Sequence, residues 1–461
     1  MTSIIDSPIG TNGVDEYDEA GSVETNVSDG FTLVAVGDLI ASRALTKGCH
    51  PGLAEVVDLL RNGDVTFGNM ETNIFDARSF TGYPQAEHGG AYHVSLPELA
   101  PDLNAMGFNL LSYANNHSFE WGLEGMRETC RALDRSGIVY AGVGENLAQA
   151  SAPRFLETQR GRVALVSFAS SFTPMSRACN PAGEAPGRPG LNPLRLRKRI
   201  TVPEAMLEIL RQIRDALPYF NSELSDQECV TLDGASFVAG DEVGYSYQPD
   251  PVDVVRILRD VRQGKQFSDF CIATNHGHAP GNWSQEPADY EQAFARKMID
   301  AGADAYLVHG PHQLRGIEIY NGKPILYSLG NFIMDDLRTP VGADMYAEHG
   351  RDSRVDTDAE VTLREMSKGY PTDPGFSDPI FYESIVTVGR FERNQLVELR
   401  LYPIELGHSR RFANRGVPSL AAPPTAWAIL ERLQKLSEPF GTEILIQGDV
   451  GIIRLGPGSF T

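Results

Sequence analysis

Histidine and acidic side chains follow several apolar runs of the sequence, at the points where those runs break into turns. Half of the ten histidines have this setting: His117, His276, His278, His309 and His312. Two carboxylates, Asp38 and Glu71, follow apolar runs in the same way. Imidazoles titrate near neutral pH, and together with carboxylates they exchange protons or bind divalent metals. We therefore predict that these side chains are the catalytic groups.

Amide and indole side chains accompany these turns. The residues concerned are Asn69, Asn115, Asn116, Asn275, Trp121 and Trp283. Amide groups can donate hydrogen bonds to substrate oxygens, and indoles can line an apolar pocket. We predict that they bind substrate. An alternative for Asp38 and Asn116 is that they only cap turns, because Asx side chains often do so.

Apolar runs alternate with segments of helical spacing along most of the chain. The predicted strands are Phe31–Val36, Val65–Phe67, Phe108–Tyr113, Ile138–Tyr140, Val163–Phe168, Phe270–Thr274 and Ala305–Val308. The predicted helices between them include Leu53–Arg61, Pro97–Met106, Leu123–Ser136 and Gln292–Ala301. Asn321-Gly322 predicts a hairpin, since both residues tolerate positive φ. This alternation is typical of an α/β layered domain that binds ligands at the carboxyl ends of its strands.

Composition suggests how the chain is divided. Residues 1–30 contain seven acidic side chains and no Lys or Arg, which predicts a disordered acidic tail. Residues 31–461 are predicted to form the folded domain, with C-terminal strands and a helix in 384–461. The Pro- and Gly-rich stretch 173–265 is predicted to be an insertion that acts as a lid or recognises substrate. Its basic run Arg195–Arg199 could contact an acidic peptide, although such runs are more often solvated.

Charge and cysteine usage limit the partners. The net charge of −21 argues against binding to nucleic acid. We find no signal-peptide pattern at the start and no apolar run of membrane-spanning length, so no membrane association is expected. Five cysteines without CxxC spacing suit reduced thiols and a cytoplasmic location. The oligomeric state stays open.

Several motifs together resemble one known family. They are Gly37-Asp38, Gly68-Asn69-Met70-Glu71, Ala114-Asn115-Asn116-His117, Asn275-His276-Gly277, Pro311-His312 and Tyr327-Ser328-Leu329-Gly330-Asn331-Phe332. The chain resembles the CapA family of poly-γ-glutamate capsule synthesis, whose fold is similar to that of calcineurin-like metallophosphatases. The resemblance covers roughly residues 31–170 and 269–333.

The resemblance implies a four-layer α/β/β/α sandwich of the metallo-dependent phosphatase type, with a central insertion. It also implies divalent-metal ligands at Asp38, Glu71, Asn116, His276, His309 and His312, and a phosphate-facing imidazole at His117. The chain departs from the pattern at Ile40, where metallophosphatases usually have a histidine, and also at Gly310, at Glu120 and at His276-Gly277-His278, where the family has His-Trp-Gly. Because a dinuclear site needs its full ligand set, metal occupancy is left open.

Within this family the chain resembles the epimerase branch of lasso-peptide biosynthesis, which works without an organic cofactor. This implies a peptide epimerase that inverts a Cα of a ribosomal precursor peptide. We pair His276 or His278 with Asp38 or Glu71 as acid and base, and His117, His309 and His312 would line the oxyanion side. One alternative is a metal-dependent phosphoesterase or amide hydrolase related to poly-γ-glutamate synthesis. A second is a non-catalytic scaffold or polymer-binding subunit.

Overall fold

A computed structural model describes residues 25–85, 92–218, 229–335, 342, 346–347, 350–361 and 375–455. The helices with described bounds are α1 (Leu53–Leu60), α2 (Leu99–Met106), α3 (Gly122–Arg135), α4 (Leu147–Ser151), α5 (Glu204–Ala216), α6 (Pro251–Gln266), α7 (Glu291–Asp300) and α8 (Pro423–Ser437). Helices and strands alternate along most of the chain, which confirms the predicted α/β class.

The strands fall into three stretches of chain. Before the predicted insertion they are β1 (Phe31–Ala41), β2 (Val65–Met70), β3 (Asn73–Ile74), β4 (Val94–Ser95), β5 (Leu110–Ser112), β6 (Val139–Ala141), β7 (Val143–Gly144), β8 (Arg154–Thr158) and β9 (Gly161–Ala169). The insertion contains β10 (Gly190–Leu191), β11 (Leu196–Val202), β12 (Cys229–Leu232), β13 (Ala235–Ala239) and β14 (Gly244–Pro249). After it come β15 (Phe270–His276), β16 (Ala305–His309), β17 (Ile317–Tyr320), β18 (Lys323–Leu326), β19 (Asn331–Asp335), β20 (Glu383–Glu392), β21 (Gln395–Glu405), β22 (Ser419–Leu420), β23 (Leu445–Gln447) and β24 (Val450–Arg454).

Two large sheets form the body of the protein. The first has the order β23-β24-β21-β20-β1-β2-β5-β6, with β19 also paired to β1 and β22 to β21. The second has the order β17-β18-β16-β15-β9-β8. Strands β1, β2, β5 and β6 are parallel in the first sheet, as are β9, β15 and β16 in the second. Parallel pairing brings the carboxyl ends of each set to one edge.

Three hydrophobic clusters define the layers. In the first sheet, alternate strand residues such as Val34 and Leu111 pack against α1, α2 and α3. The opposite face, including Leu33 and Phe67, shares a cluster with Ile272 of the second sheet. The outer face of the second sheet packs against α6 and α7. Both sheets are therefore buried on two faces, which explains why their strands are almost continuously apolar.

The insertion builds a small sheet of its own, in the order β12-β13-β11-β14, with α5 packed on it. Strands β12 and β13 pair antiparallel as a hairpin. Helix α6 instead contributes Ile257 and Val261 to the core of the body, so the separate part spans about residues 196–249. The basic run largely coincides with β11, and Arg195 at its start is already paired with Asp253 at 2.7 Å. An acidic peptide would have to displace that pair to reach Arg195, whereas Arg197 and Lys198 are exposed.

Several predicted boundaries need correction. Strand β1 continues past Val36 to Ala41, and Asp38 therefore lies inside it. Residues 1–24 of the predicted acidic tail lie outside the described residues, but Val27 is buried and its N–H donates to Asn394 Oδ1 at 3.1 Å. The Asn321-Gly322 hairpin is confirmed, with φ of 51° and 73°.

Gly37 lies where β1 passes the chain that leaves the second sheet. A Cβ on Gly37 would be directly against the carbonyl oxygen of Gly330. We expect G37A to lower the free energy of unfolding by about 2–3 kcal/mol, because backbone on both sides must move. Urea unfolding followed by circular dichroism measures this. G244A is the control, since its Cβ would only approach Thr201 Oγ1 at 3.2 Å; an equal effect of the two changes would contradict the prediction.

Candidate functional site

Strand geometry selects the side chains that enter the crevice between the two sheets. Side chains alternate between the faces of a strand, so residues two apart share a face. Phe67 faces the second sheet, and Asn69 and Glu71 follow it at this spacing. His276 follows Ile272, and His309 follows Leu307, in the same way. The polar groups at the strand ends therefore continue the apolar interface between the sheets.

Asp38 joins them because of an irregularity in β1. The register of β1 against β2 shifts between Ala35 and Asp38, and that against β19 shifts between Asp38 and Leu39. Leu33 and Ala35 face the second sheet, whereas Leu39 packs with the helices. An inserted residue reverses the alternation. Asp38 is thereby turned into the crevice.

Asp38 is fully buried and contacts groups from several strand ends. Its Oδ1 accepts a hydrogen bond from Asn69 Nδ2 at 2.8 Å, and its Oδ2 accepts one from Gly310 N at 3.1 Å. His312 Nδ1 lies 3.5 Å from Oδ2, and His309 Nδ1 lies 3.8 Å from Oδ1. Burial acts to raise the pKa of Asp38, but the hydrogen bond and charge of His312, with the charge of His309, lower it overall. Asp38 is therefore the anionic centre of the cluster.

Two fully buried imidazoles meet beside Asp38. His276 Nδ1 and His309 Nδ1 are 2.9 Å apart, and His309 Nε2 lies 2.9 Å from Thr274 Oγ1. Burial lowers the pKa of His309 to about 4, against the opposing charge of Asp38. Burial and neighbouring imidazoles also hold the pKa of His276 well below its usual value. Both rings are neutral at pH 7, the form in which imidazole binds a metal.

Glu71 is the least satisfied group of the cluster. Both of its carboxylate oxygens are buried without a hydrogen-bond partner among the described residues. Its Oε1 lies 3.6 Å from His117 Nε2 and 3.6 Å from His276 Nε2. Burial and the charges of Asp38 and Glu120 raise its pKa well above the usual value. A buried carboxylate without a donor is costly unless a proton or a cation compensates it.

His117 lies on one side of Glu71 and is held by a second carboxylate. Its Nδ1 is 2.7 Å from Glu120 Oε1, and the other oxygen of Glu120 accepts the main-chain N–H of His93 at 3.2 Å. The ring centroids of His93 and His117 are 4.2 Å apart. Asn73 Nδ2 donates to the carbonyl of His117 at 2.8 Å. The imidazole is thus oriented with Nε2 toward the cluster.

His278 lies on the more open side and is half-buried. Its Nε2 is 3.2 Å from His276 Nε2 and 3.5 Å from Asn116 Oδ1. Its Nδ1 contacts Asn282 Oδ1 at 2.7 Å. Asn115 supports the cluster by donating to Asn69 Oδ1 at 3.1 Å. The structure therefore brings together the predicted catalytic groups and three of the four predicted amides.

Three groups of side chains have spacing suited to a metal ion. They are Asp38, His276 and His309; Glu71, His276 and His278; and Asp38, Glu71 and His312. Within each group the ligand atoms lie within 4.8 Å of one another. Mixed imidazole and carboxylate donors suit Mn, Fe or Zn. The unpartnered oxygens of Glu71 and this donor set are compatible with a divalent cation, and a proton on Glu71 is the other way to compensate its burial.

Three predicted substrate-binding residues lie apart from the cluster. Asn275 points to the opposite face of its strand, where its Nδ2 donates to Glu291 Oε1 at 3.3 Å. Trp121 packs edge-on against Phe75, with ring centroids 5.0 Å apart. Trp283 is half-exposed on the loop after His278. A contact of these three with substrate stays a prediction.

Sequence reasoning alone misses other residues of the site. Asn331 Oδ1 lies 2.9 Å from His312 Nδ1, while its Nδ2 donates to the carbonyl of Phe381 at 3.0 Å. Glu120 and Asn282 orient His117 and His278, and His93 packs on His117. Asn331 belongs to the motif that carries the family resemblance, so a signal for it is present. His93 follows no apolar run of strand length and gives no such signal.

His93 makes folding sensitive to acid. Burial lowers its pKa from 6.5 to about 3, so the unfolded chain takes up a proton at this residue first as the pH falls. The contribution of neutral His93 to the free energy of unfolding is therefore fully present above pH 6.5, and it is lost as the pH falls toward 3. Between pH 7 and pH 5 we expect His93 to remove about 2 kcal/mol from the free energy of unfolding. H93F should lack this part of the loss, as measured by urea unfolding at both pH values; equal losses in H93F and the parent would refute it.

The arrangement defines an α/β protein with a buried imidazole–carboxylate centre at the carboxyl ends of parallel strands from two sheets. The chain belongs to the family described as bacterial capsule synthesis protein PGA_cap, whose sequence model matches residues 32–336. The predicted membership is thereby confirmed. The described residues contain no helix with the length and apolar composition that a bilayer crossing requires.

Individual relatives extend this result. Two uncharacterized proteins of Sinorhizobium fredii (strain NBRC 101917 / NGR234), y4uA and y4sH, are each 66% identical over 95% of this chain and 96% of their own length. The capsule biosynthesis protein CapA of Bacillus anthracis is 24% identical over 71% of this chain and 65% of its own. A crystal structure of a hypothetical protein from Thermus thermophilus covers 81% of this chain with 13% identity and a TM-score of 0.36, which is too low to define the fold.

Proposed function

We propose that the protein is a metal-dependent hydrolase whose cation is held between Asp38, Glu71, His276, His278, His309 and His312. The observation that carries the proposal is Glu71, a buried carboxylate that lies among imidazoles with no donor to either oxygen in the described part of the chain. The cost of burying this carboxylate is offset by a proton or by a cation, and the surrounding imidazoles favour a cation. The neutral rings of His276 and His309 are suited to coordinate such a group.

Each part of the crevice then has a task. When bound between these residues, a divalent cation would polarise the bond to be cleaved. Asn69 and Gly310 orient Asp38 through hydrogen bonds of 2.8 and 3.1 Å. His117, fixed by Glu120 at 2.7 Å, would take a proton at Nε2 from the attacking water and return it to the leaving group. His278 is the member of the cluster that is most open to solvent, so substrate enters on its side.

The proposal includes the finer fold and a substrate class. Two sheets packed face to face with helices on both outer faces agree with a metallophosphatase-like α/β/β/α sandwich. The relatives named for capsule and PGA biosynthesis favour an amide bond of a glutamyl chain over a phosphoester. Both bond types are substrates for divalent-metal hydrolases, and we take the amide as the leading choice.

Elemental analysis of untagged, full-length protein tests the metal. We expect stoichiometric Mn, Fe or Zn, and loss of hydrolysis after chelation with recovery when the same metal is returned. γ-Glutamyl peptides and a chromogenic phosphodiester are the two substrates to compare. Protein that contains no metal and binds none of the three in calorimetry would exclude the proposal.

A second candidate is Cα epimerisation of a peptide. It is favoured by the equal 3.6 Å distances from Glu71 Oε1 to His117 Nε2 and His276 Nε2, which place two proton-transfer groups around one carboxylate. Inversion requires an acid and a base on opposite faces of the carbon. Incubation with candidate precursor peptides in deuterated water should then label Cα in metal-free protein. If no peptide takes up deuterium at Cα and the protein shows metal-dependent hydrolysis, epimerisation is ruled out.

A further inference from the structure

A buried guanidinium holds the loop that follows His278. Arg315 is 1% exposed. Its Nη1 donates to the carbonyl of Ala279 at 2.9 Å, its Nε to that of Ser284 at 3.1 Å, and its Nη2 to that of Gly281 at 3.4 Å. Three carbonyls of one loop, residues 279–284, therefore converge on one cation.

The same loop carries the side chain that orients His278. Asn282 Oδ1 lies 2.7 Å from His278 Nδ1. An amide oxygen can only accept, so the hydrogen is on Nδ1 of the ring. The main-chain N–H of His278 donates to Ser171 Oγ at 2.9 Å, which fixes the start of the loop. Nε2 then directs its lone pair at the cluster, where His276 Nε2 is 3.2 Å away; Asn116 Oδ1 also faces Nε2, but at 3.5 Å it is the weaker of the two amide acceptors.

We propose that Arg315 is a positioning residue for His278. By holding the carbonyls of loop 279–284, it keeps Asn282 where that side chain selects the Nδ1-protonated tautomer. The use of Nε2 as a metal ligand rests on the proposed function, whereas the selection of the tautomer does not. Partners of this kind orient ligating histidines in known metal sites.

The contacts of Arg315 explain why an arginine is needed. Among the described residues no carboxylate lies within ion-pair distance of it, so the three carbonyls are its polar partners. A guanidinium presents several N–H groups in one rigid plane and can reach separate carbonyls at once. Glu291 acts on this charge only through the longer-range electrostatic interaction, so the direct contacts of Arg315 stabilise the shape of the loop.

Two further contacts close the loop from other directions. Gln313 Nε2 donates to the carbonyl of Asn282. Tyr247 OH, from β14 of the insertion, donates to the carbonyl of Pro280 at 3.3 Å. Arg315 nevertheless supplies more hydrogen bonds to the carbonyls of the loop than either of them. Substitution of Arg315 should therefore allow the side chain of Asn282 to move away from His278.

Nitrogen-15 NMR of full-length protein labelled at histidine tests the inference. The ring nitrogen shifts report the tautomer of each imidazole, and the His278 signals are assigned by their absence in H278N. We expect the parent protein to show one Nδ1-protonated tautomer at His278. R315Q should show a mixture of tautomers, and N282L should show the same change because it removes the acceptor itself.

R256Q is the matched control. Arg256 is also largely buried and donates to the carbonyl of Pro193 and to Asp253, away from loop 279–284. An altered His278 tautomer in R315Q but not in R256Q supports the proposal. An unchanged tautomer in folded R315Q, or the same change in both variants, overturns it. If R315Q does not fold, R315K takes its place: a mixture supports the proposal, and an unchanged signal overturns it.

The metal content of the parent protein separates this inference from the proposed function. Absence of metal with a single His278 tautomer would overturn the metal centre and leave the role of Arg315 standing. Stoichiometric metal together with an unchanged His278 tautomer in R315Q would support the metal centre and overturn the role of Arg315.

Discussion

Replacing Glu71 by glutamine is expected to lower the affinity for divalent metal more than roughly 100-fold, the upper range for losing a residue that only supports a ligand. The glutamine side chain has nearly the same shape, but it offers one neutral oxygen and an NH2 group in place of two anionic oxygens. That NH2 group would meet the imidazole nitrogens that lie 3.6 Å from Glu71 Oε1. Calorimetry with metal-free protein measures the affinity.

The matched control for this change is E291Q. Glu291 is also buried, but it has hydrogen-bond donors, with Tyr306 OH at 2.8 Å, and it lies on the helix side of the second sheet. We expect E291Q to leave metal affinity unchanged. Equal affinity in E71Q and the parent would show that the carboxylate is not a ligand and that a proton compensates its burial.

The second large effect is expected for H117Q. We predict that kcat falls by about 10²–10⁴-fold, the usual contribution of a positioned general acid or base. Metal content should stay at the parent level, because His117 is absent from the three groups with metal-ligand spacing. The measurement is hydrolysis of the best γ-glutamyl peptide or phosphodiester, together with elemental analysis of the same sample.

H408Q serves as the control for H117Q. His408 is half-buried outside the crevice, where its Nε2 lies 3.2 Å from the carbonyl oxygen of Ser377 and its ring packs on Tyr382. Its replacement should leave kcat unchanged. A fall in kcat for H117Q that is accompanied by loss of metal would assign His117 to the ligand set rather than to proton transfer.

The strand ends of the site can be predicted because apolar runs in buried parallel strands are easy to recognise. The sequence predicts strands at Phe270–Thr274 and Ala305–Val308, and the structure extends them to His276 and His309. The period of two could also have excluded Asn275, since it has the opposite parity to His276. A polar residue at the end of a strand is therefore a better candidate for the site when its parity also places it on the face that lines the crevice.

Other features depend on contacts between distant parts of the chain. Asp38 enters the crevice through an irregular register with two neighbouring strands, and nothing local to β1 indicates it. The sequence after Gly330 does not reveal that β19 belongs to the first sheet. The chain leaves the second sheet after β18 and pairs with β1, and this pairing depends on the tertiary structure. The basic run around β11 has the composition of a solvated surface, although Asp253 pairs with Arg195 in the fold.

The position of β1 has a consequence for biosynthesis. It is an internal strand of the first sheet, yet one of its edges pairs with β2, made shortly afterward, and the other with β19 and β20, which are made much later. A nascent chain thus emerges from the ribosome with an apolar strand whose second edge has no partner until these late strands have been added. Unpaired edges of this kind attract other chains, so we expect β1 to be open to mispairing with neighbouring nascent chains until its late partners have been made.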